Sequence, residues 1–292
     1  MAPIQVPMRA SAATLAVLGL LAATFAGGAS GAGNPNIAAL QVGLRTHALY
    51  AGTVDGVLGP RTERALIRFQ RRAGLSPDGV VGPRTRKAFG RYGRRSPLGR
   101  RDLAIGCRGW DVAALQFALA WHGFPSAVFD GVFGAHTDTA LRKFQVWAGL
   151  KPDGTAGPST YAALRRALPR SPIRLIQPVA GPIGDLFGPR GNRFHAGIDI
   201  PAAKGTPIGA AAGGRVVFAA VGGGFGKFVV VEHRSGVRTR YAHLSRIEVR
   251  VGQYVKARAT VGFVGATGET SGPHLHFEVL VRGANVNPLS AL

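Results

Sequence analysis

Two short strings near the C-terminal end of the chain hold the residue types that do metal chemistry. One is R-F-H-A-G-I-D-I (193–200), with His195 and Asp199; the other is G-P-H-L-H-F-E-V (272–279), with His274 and His276. Two imidazoles and one carboxylate make a three-ligand zinc set whose fourth coordination position stays open to water. One imidazole is then left over beside the metal. A metal with an open position next to a titratable group is the minimum equipment for hydrolysis.

The elements that must position these groups follow from spacing. The residues around His274 and His276 (Phe277, Val279, Leu280, Val281) are apolar and partly β-branched, so the segment reads as a strand. Side chains two apart on a strand share a face, with Cα atoms roughly 6.5–7 Å apart. Both imidazoles can then hold one ion, or one binds the ion while the other serves a group bound beside it. A straight strand would part His195 and Asp199 by about 13 Å, too far for a shared metal. A helix is disfavoured by Gly197, Ile198, Ile200 and Pro201. The expectation is a bend at Gly197.

The stretch from about Gln177 to Asn287 resembles the lysostaphin/LytM-type zinc metallopeptidases, which cut bacterial cell-wall peptides. The strings that carry the resemblance are F-G-P-R-G (187–191), H-A-G-I-D-I (195–200), G-T-P-I-G-A (205–210), Y-A-H-L-S (241–245), V-G-A-T-G (264–268) and G-P-H-L-H-F-E-V (272–279). The resemblance implies one Zn2+ ion held by His195, Asp199 and His276, with His243 and His274 as catalytic histidines. It assigns His274 to the base and His243 to steadying the developing charge, two roles open to exchange. There is no H-E-x-x-H string to supply a glutamate base, and histidine can do that work near neutral pH. One departure is Arg258, which stands where relatives have Gly in a V-K-x-G turn and bears on the local turn alone. His47, His122, His136 and His233 read as structural. Glu278 shares the strand face of His274 and His276, and is either support for a ligand or an exposed polar position.

Ala12 to Ala26 is an apolar run after Arg9, followed by small residues. It reads as a secretory signal over 1–32, cleaved between about 26 and 33, and too short for the 17–25 residues of a membrane span. No transmembrane helix is expected after cleavage. The single cysteine, Cys107, excludes an internal disulfide and reads as a near-surface turn residue.

Between leader and metal strings the chain repeats itself at an offset of 75. Leu40-Gln41, Asp55-Gly56, Thr62, Ala65-Leu66, Phe69-Gln70, Asp78-Gly79 and Gly82-Pro83 recur as Leu115-Gln116, Asp130-Gly131, Thr137, Ala140-Leu141, Phe144-Gln145, Asp153-Gly154 and Gly157-Pro158. Apolar spacings of three and four predict helices, and Gly-Pro pairs sit where helices would start. Each copy reads as a small three-helix bundle and resembles the peptidoglycan-binding repeat found beside wall hydrolases. The repeated residues themselves are of kinds that build a fold, so binding to peptidoglycan is implied by the resemblance.

Net charge is +22, and half of the excess lies between Asn34 and Arg101. The segment R-Y-G-R-R-S-P-L-G-R-R (91–101) would attract anionic wall polymers; no nucleic-acid motif is present, so no nucleic-acid partner is expected. The expected class is multidomain α plus β. Its parts are repeat one (34–92), a basic linker (93–101), repeat two (102–168), a linker (169–176) and a mainly antiparallel β metallopeptidase domain (177–292). Strands are expected at Arg215–Ala219, Phe228–Glu232, Gly236–Tyr241, Thr260–Val264 and His274–Val281, and the linkers are expected to let the two parts move. The function expected from these features is a secreted, wall-associated or periplasmic zinc endopeptidase acting on peptidoglycan stem peptides or cross-bridges. Its rivals are a non-catalytic activator of another hydrolase and a metalloprotease acting on Gly-rich proteins.

Overall fold

The computed structural model describes residues 32–94 and 97–292. The leader lies outside them up to position 31. Seven helices occupy the N-terminal part of the described residues: α1 (Pro35–Thr46), α2 (Pro60–Arg72), α3 (Pro83–Ala88), α4 (Gly90–Gly93), α5 (Trp110–Trp121), α6 (Ala135–Trp147) and α7 (Pro158–Leu164). Helices α2, α3 and α7 begin at the Pro of a Gly-Pro pair, where the missing amide proton has no intrahelical acceptor to satisfy.

A buried glutamine organises each half of each repeat. Gln41 Nε2 shares its two protons among Asp55 Oδ1 (2.7 Å), the Val57 carbonyl (3.1 Å) and Thr62 Oγ1 (3.1 Å), while its Oε1 accepts from the Gly56 amide (2.9 Å). Gln70 makes the same set with Asp78, Val80, Thr85 and Gly79. Gln116 and Gln145 repeat it in the second copy. The strings D-G-V-L-G-P-R-T (55–62) and D-G-V-V-G-P-R-T (78–85) record this half-repeat in the sequence. Such a satisfied polar knot keeps the turn before each helix closed without leaving a buried donor unpaired.

The two copies share one core. Helices α1 and α5 pack against each other and are apolar nearly all round, with Ala38–Leu44 and Trp110–Ala120 buried, as a helix covered on every side must be. Phe89 stacks on Phe69 (centroids 3.8 Å) and meets Trp110 of the other copy edge-on at 5.9 Å. Within the segment read as a basic linker, Leu98 is buried in this core, and Arg101 pairs with Asp111 at 2.6 Å.

The C-terminal part is antiparallel β, as expected. Its strands are β1 (Gly188–Arg190), β2 (Arg193–His195), β3 (Ile198–Pro201), β4 (Pro207–Gly209), β5 (Gly214–Val221), β6 (Lys227–Glu232), β7 (Val237–Ala242), β8 (Arg246–Ile247), β9 (Tyr254–Val255), β10 (Thr260–Phe263), β11 (His274–Val281) and β12 (Ala284–Val286). The main sheet runs β12-β11-β7-β6-β5-β9, with β3 also paired to β11; β4-β10-β8 form a smaller sheet and β1-β2 a hairpin. Val229, Val231, Tyr241, Phe277 and Val279 fill the core between them. Each of the five expected strands is present, with its ends within two residues of those expected.

The segment 169–176, read as a linker, lies against this domain. Ile173 and Leu175 are buried in its core, and the Leu175 and Ile176 amides donate to the Ala291 and Ala211 carbonyls (2.8 Å each). Apolar residues inside a Pro- and Arg-rich string account for this. Arg258 keeps the turn that glycine would favour, at φ +69°. No helix among the described residues is long and apolar enough to cross a membrane.

Candidate metal centre

The central strand β11 presents His274 and His276 on one face. Its neighbour β3 sets Asp199 directly opposite His276, and β7 sets Ala242 opposite it on the other side. The chain bends between β2, which ends at His195, and β3, which begins at Ile198. The bend falls at Ala196-Gly197, as the spacing required. Gly197 is needed there for close approach: a Cβ would collide with the Phe277 carbonyl oxygen and lie 3.0 Å from the His276 ring.

The bend brings His195, Asp199 and His276 together. His276 Nδ1 is 2.8 Å from Asp199 Oδ1, His195 Nε2 is 3.1 Å from the same oxygen, and the two ring nitrogens are 3.0 Å apart. A tetrahedral zinc with bonds of about 2.0–2.1 Å spaces its donors about 3.3 Å apart, so these three atoms fit a zinc ion after a small outward movement. They form the one group of His, Cys, Asp and Glu donors with metal-binding geometry among the described residues. Each candidate ligand is aimed by what holds its other end. His195 Nδ1–H donates to the Leu186 carbonyl (2.9 Å), leaving Nε2 toward the shared space. His276 Nε2–H donates to Glu278 Oε1 (3.1 Å), leaving Nδ1. Asp199 Oδ2 accepts from Arg190 (2.9 Å), which also pairs with Asp185 (2.8 Å). Hydrogen bonds of this kind fix tautomer and ring orientation.

The same contacts set the electrostatics of the group. Burial would raise the Asp199 pKa, but the imidazoles of His195 and His276 beside it outweigh that and hold the carboxyl well below the usual range. Burial would lower His276, yet Asp199 and Glu278 on either side push it up to about 9. Glu278 is itself buried; the hydrogen bond from His276 and the Arg240 guanidinium overcome desolvation and hold its pKa down.

The remaining two histidines face the same space. His243 and His274 lie with ring centroids 4.9 Å apart, and His243 is 5.8 Å from the His276 ring. His274 Nδ1–H donates to the Gly272 carbonyl (2.9 Å) and His243 Nδ1–H to that of Thr267 (2.8 Å). Each Nε2 is therefore free for a proton or a substrate, and that of His274 is 3.6 Å from Asp199 Oδ1. Burial lowers the His243 pKa, and the bond to Thr267 resists it. His243 also takes a left-handed backbone, φ +62°, a conformation that costs a non-glycine residue about 1–2 kcal/mol. It is pinned by its amide bond to the Phe225 carbonyl (2.9 Å). Phe225 stands 5.9 Å from His276 with Arg240 over its face at 4.4 Å, forming one wall of the centre.

The histidines read as structural lie elsewhere. His47 packs edge-on to Phe69 and Phe89, His122 is buried against the Ala118 carbonyl, and His136 is exposed. His233 is buried between the Gly213 carbonyl and Thr239 Oγ1. Sequence reasoning left Glu278 undecided; its burial and its bond to His276 place it behind a candidate ligand. It missed Arg190, Arg240 and Asn285, although Arg190 stood in the string F-G-P-R-G.

Residues 193–288 match the family model described as "Peptidase family M23", and residues 33–89 and 108–164 each match "Putative peptidoglycan binding domain". A "DD-carboxypeptidase/endopeptidase Mpg" of Neisseria meningitidis serogroup B is 46% identical over 98 residues, which is 34% of this chain and 23% of that protein. "Peptidoglycan DD-endopeptidase ShyC" of Vibrio cholerae is 36% identical over 137 residues, covering 43% of this chain and 30% of that protein. The chain thus spans about a quarter to a third of the length of these curated relatives. Among solved structures, a zinc containing peptidase from Vibrio cholerae aligns with TM-score 0.38 at 35% identity, over 40% of this chain and 39% of its own. The catalytic domain of lysostaphin from Staphylococcus simulans aligns with TM-score 0.35 at 32% identity, over 37% of this chain and 90% of its own.

Proposed function

From a chain that carries a peptidase family M23 domain behind two peptidoglycan-binding domains, we propose a secreted zinc endopeptidase that hydrolyses peptide bonds in the stems or cross-bridges of peptidoglycan, held on its substrate by the repeats. The observation that carries this reading is the convergence of His195 Nε2, Asp199 Oδ1 and His276 Nδ1, with two more imidazoles facing the same space. Zinc, when bound, would polarise a peptide carbonyl and make water nucleophilic near neutral pH. His195, Asp199 and His276 hold it. His274 offers Nε2 as a base, takes a proton from water and passes it to the leaving amine. His243 steadies the developing negative charge. Its Nδ1–H is already given to Thr267, so it donates from Nε2 as the imidazolium, a form that burial opposes and an adjacent anion favours. Secretion is supported by the apolar leader and wall association by the repeats. The basic segment 91–101 gives anionic wall polymers a point of attraction.

Digestion of purified peptidoglycan by the zinc-loaded protein, followed by mass spectrometry, tests the reading. New amino termini without new reducing sugars are expected. New reducing sugars alone would overturn it, and no product at all from protein with stoichiometric zinc would favour a non-catalytic wall protein.

A further inference from the structure

Position 123 is where the two helical copies diverge for a reason that lies outside them. Its counterpart 75 residues earlier is Ala48, which takes the same left-handed turn after α1 at φ +56°. That turn tolerates a side chain. Gly123, after α5, has φ +90°, and a Cβ there would strike the backbone of Asn285 and lie 2.9 Å from the Ala284 carbonyl carbon. The Gly123 carbonyl accepts from the Asn285 amide (3.1 Å). The Asn285 side chain donates to Glu278 Oε2 (3.0 Å) and to the Ala196 carbonyl (3.2 Å). Glu278 holds His276, and Ala196 adjoins His195. A short path thus runs from a turn of repeat two through hydrogen bonds to the His276 imidazole and to the backbone beside His195.

A second set of contacts reaches the same set from another side. Val54 and Phe129 are counterparts at the 75-residue offset, and their amides donate to the carbonyls of Gly191 and Asn192 (2.7 Å each). Those two residues are the tip of the β1-β2 hairpin, which carries Arg190 against Asp199 and ends at His195. Trp121 of α5 packs edge-on against Phe194 (5.4 Å) and Phe187 (6.3 Å) of the hairpin region.

We propose that the helical repeats are a fixed brace of the metal centre, with Asn285 as the positioning residue that joins repeat two to the ligands. For its zinc readout this inference rests on His195, Asp199 and His276 being the metal set; its exchange readout does not. The brace pre-orients the ligands by holding the strands on which they sit, so docking of the repeats and metal affinity are coupled.

Full-length Asn285→Ala and Gly123→Ala break the path from opposite sides. Gly149→Ala is the control, because Gly149 has φ +74° with nothing within 4 Å of an added Cβ. In zinc-free protein, hydrogen exchange over 188–198 and 284–286 is expected to rise in the first two variants and not in the control. Zinc affinity, measured by chelator competition, is expected to fall about tenfold in Asn285→Ala, within the range for groups behind a ligand. Unchanged exchange in both variants, or an equal rise in Gly149→Ala, would overturn the proposal. Loss of wall digestion by the wild-type protein with exchange behaving as expected would remove the assigned activity and leave the brace standing.

Discussion

Glu278 is the most sensitive point behind the candidate ligands, and replacing it with glutamine or alanine gives separable outcomes. Its side chain is 3% exposed and accepts from three donors: His276 Nε2, Asn285 Nδ2 and Arg240 Nη1. Glutamine fills the same volume but offers one acceptor oxygen and one NH2 group. If its oxygen faces His276, the NH2 meets Arg240 and Asn285 donor to donor. If it turns round, His276 must carry its proton on Nδ1, the atom aimed at the metal. The first arrangement loses the hydrogen bond from the charged Arg240, worth about 1.5–3 kcal/mol; the second keeps it without the carboxylate charge and turns the wrong ring nitrogen of His276 to the candidate metal position. Zinc affinity should also fall 10–100-fold, as for groups that orient a ligand. Alanine strands Arg240. Removing one partner of a buried ion pair costs about 3–5 kcal/mol, and the lower end applies because Arg240 is 22% exposed and rests on Phe225. Urea unfolding in the presence of chelator reads the stability change, and chelator competition reads the affinity. A Glu278→Gln protein with the wild-type urea midpoint and wild-type zinc affinity would refute the reasoning.

Three further outcomes follow from the geometry. His274→Ala should keep bound zinc through dialysis and lose hydrolysis by about 10²–10⁴-fold, whereas His276→Ala should lose the ion; turnover retained in His274→Ala would contradict the base assignment. Burial lowers the pKa of His122 and His233 below the ordinary 6.5. Well above pH 6.5 both are neutral whether folded or unfolded; as pH falls through it, the unfolded chain takes up protons that the folded chain refuses, and stability drops. His233→Gln should therefore flatten the fall in zinc-free Tm between pH 7.5 and 5, and an identical slope would exclude the buried histidine as its source. Arg258→Gly should raise stability by about 1 kcal/mol in urea unfolding, since glycine relieves the left-handed backbone; a loss of stability would show that the Arg258 side chain has a packing role.

Much of this molecule is written in local pattern. The Gly-Pro helix starts, the five expected strands and the Gly197 bend each depend on neighbours a few residues away, so periodicity and turn chemistry reach them. The candidate donors were legible because their types are rare and their spacing strict. Glu278 was ambiguous because alternation assigns a face, and a face says nothing of burial until the partner strand is known. The glutamine knot had a signal in the paired D-G-V-x-G-P-R-T strings, a shorter period that lies within the 75-residue one. Packing of the helical part on the β part joins residues far apart in the chain, such as Gly123 with Asn285 and Val54 with Gly191, and its local trace is a glycine at 123 where the other copy has alanine.

The seam between α1 and α5 has a consequence for anyone trimming this protein. Each of these helices is the other's shelter from water, so excising either copy would lay bare a sheath of alanine, leucine and valine that no solvent-facing residue was ever chosen to cover. The duplicated halves cannot be counted as two detachable beads; they fold, and they fail, as one.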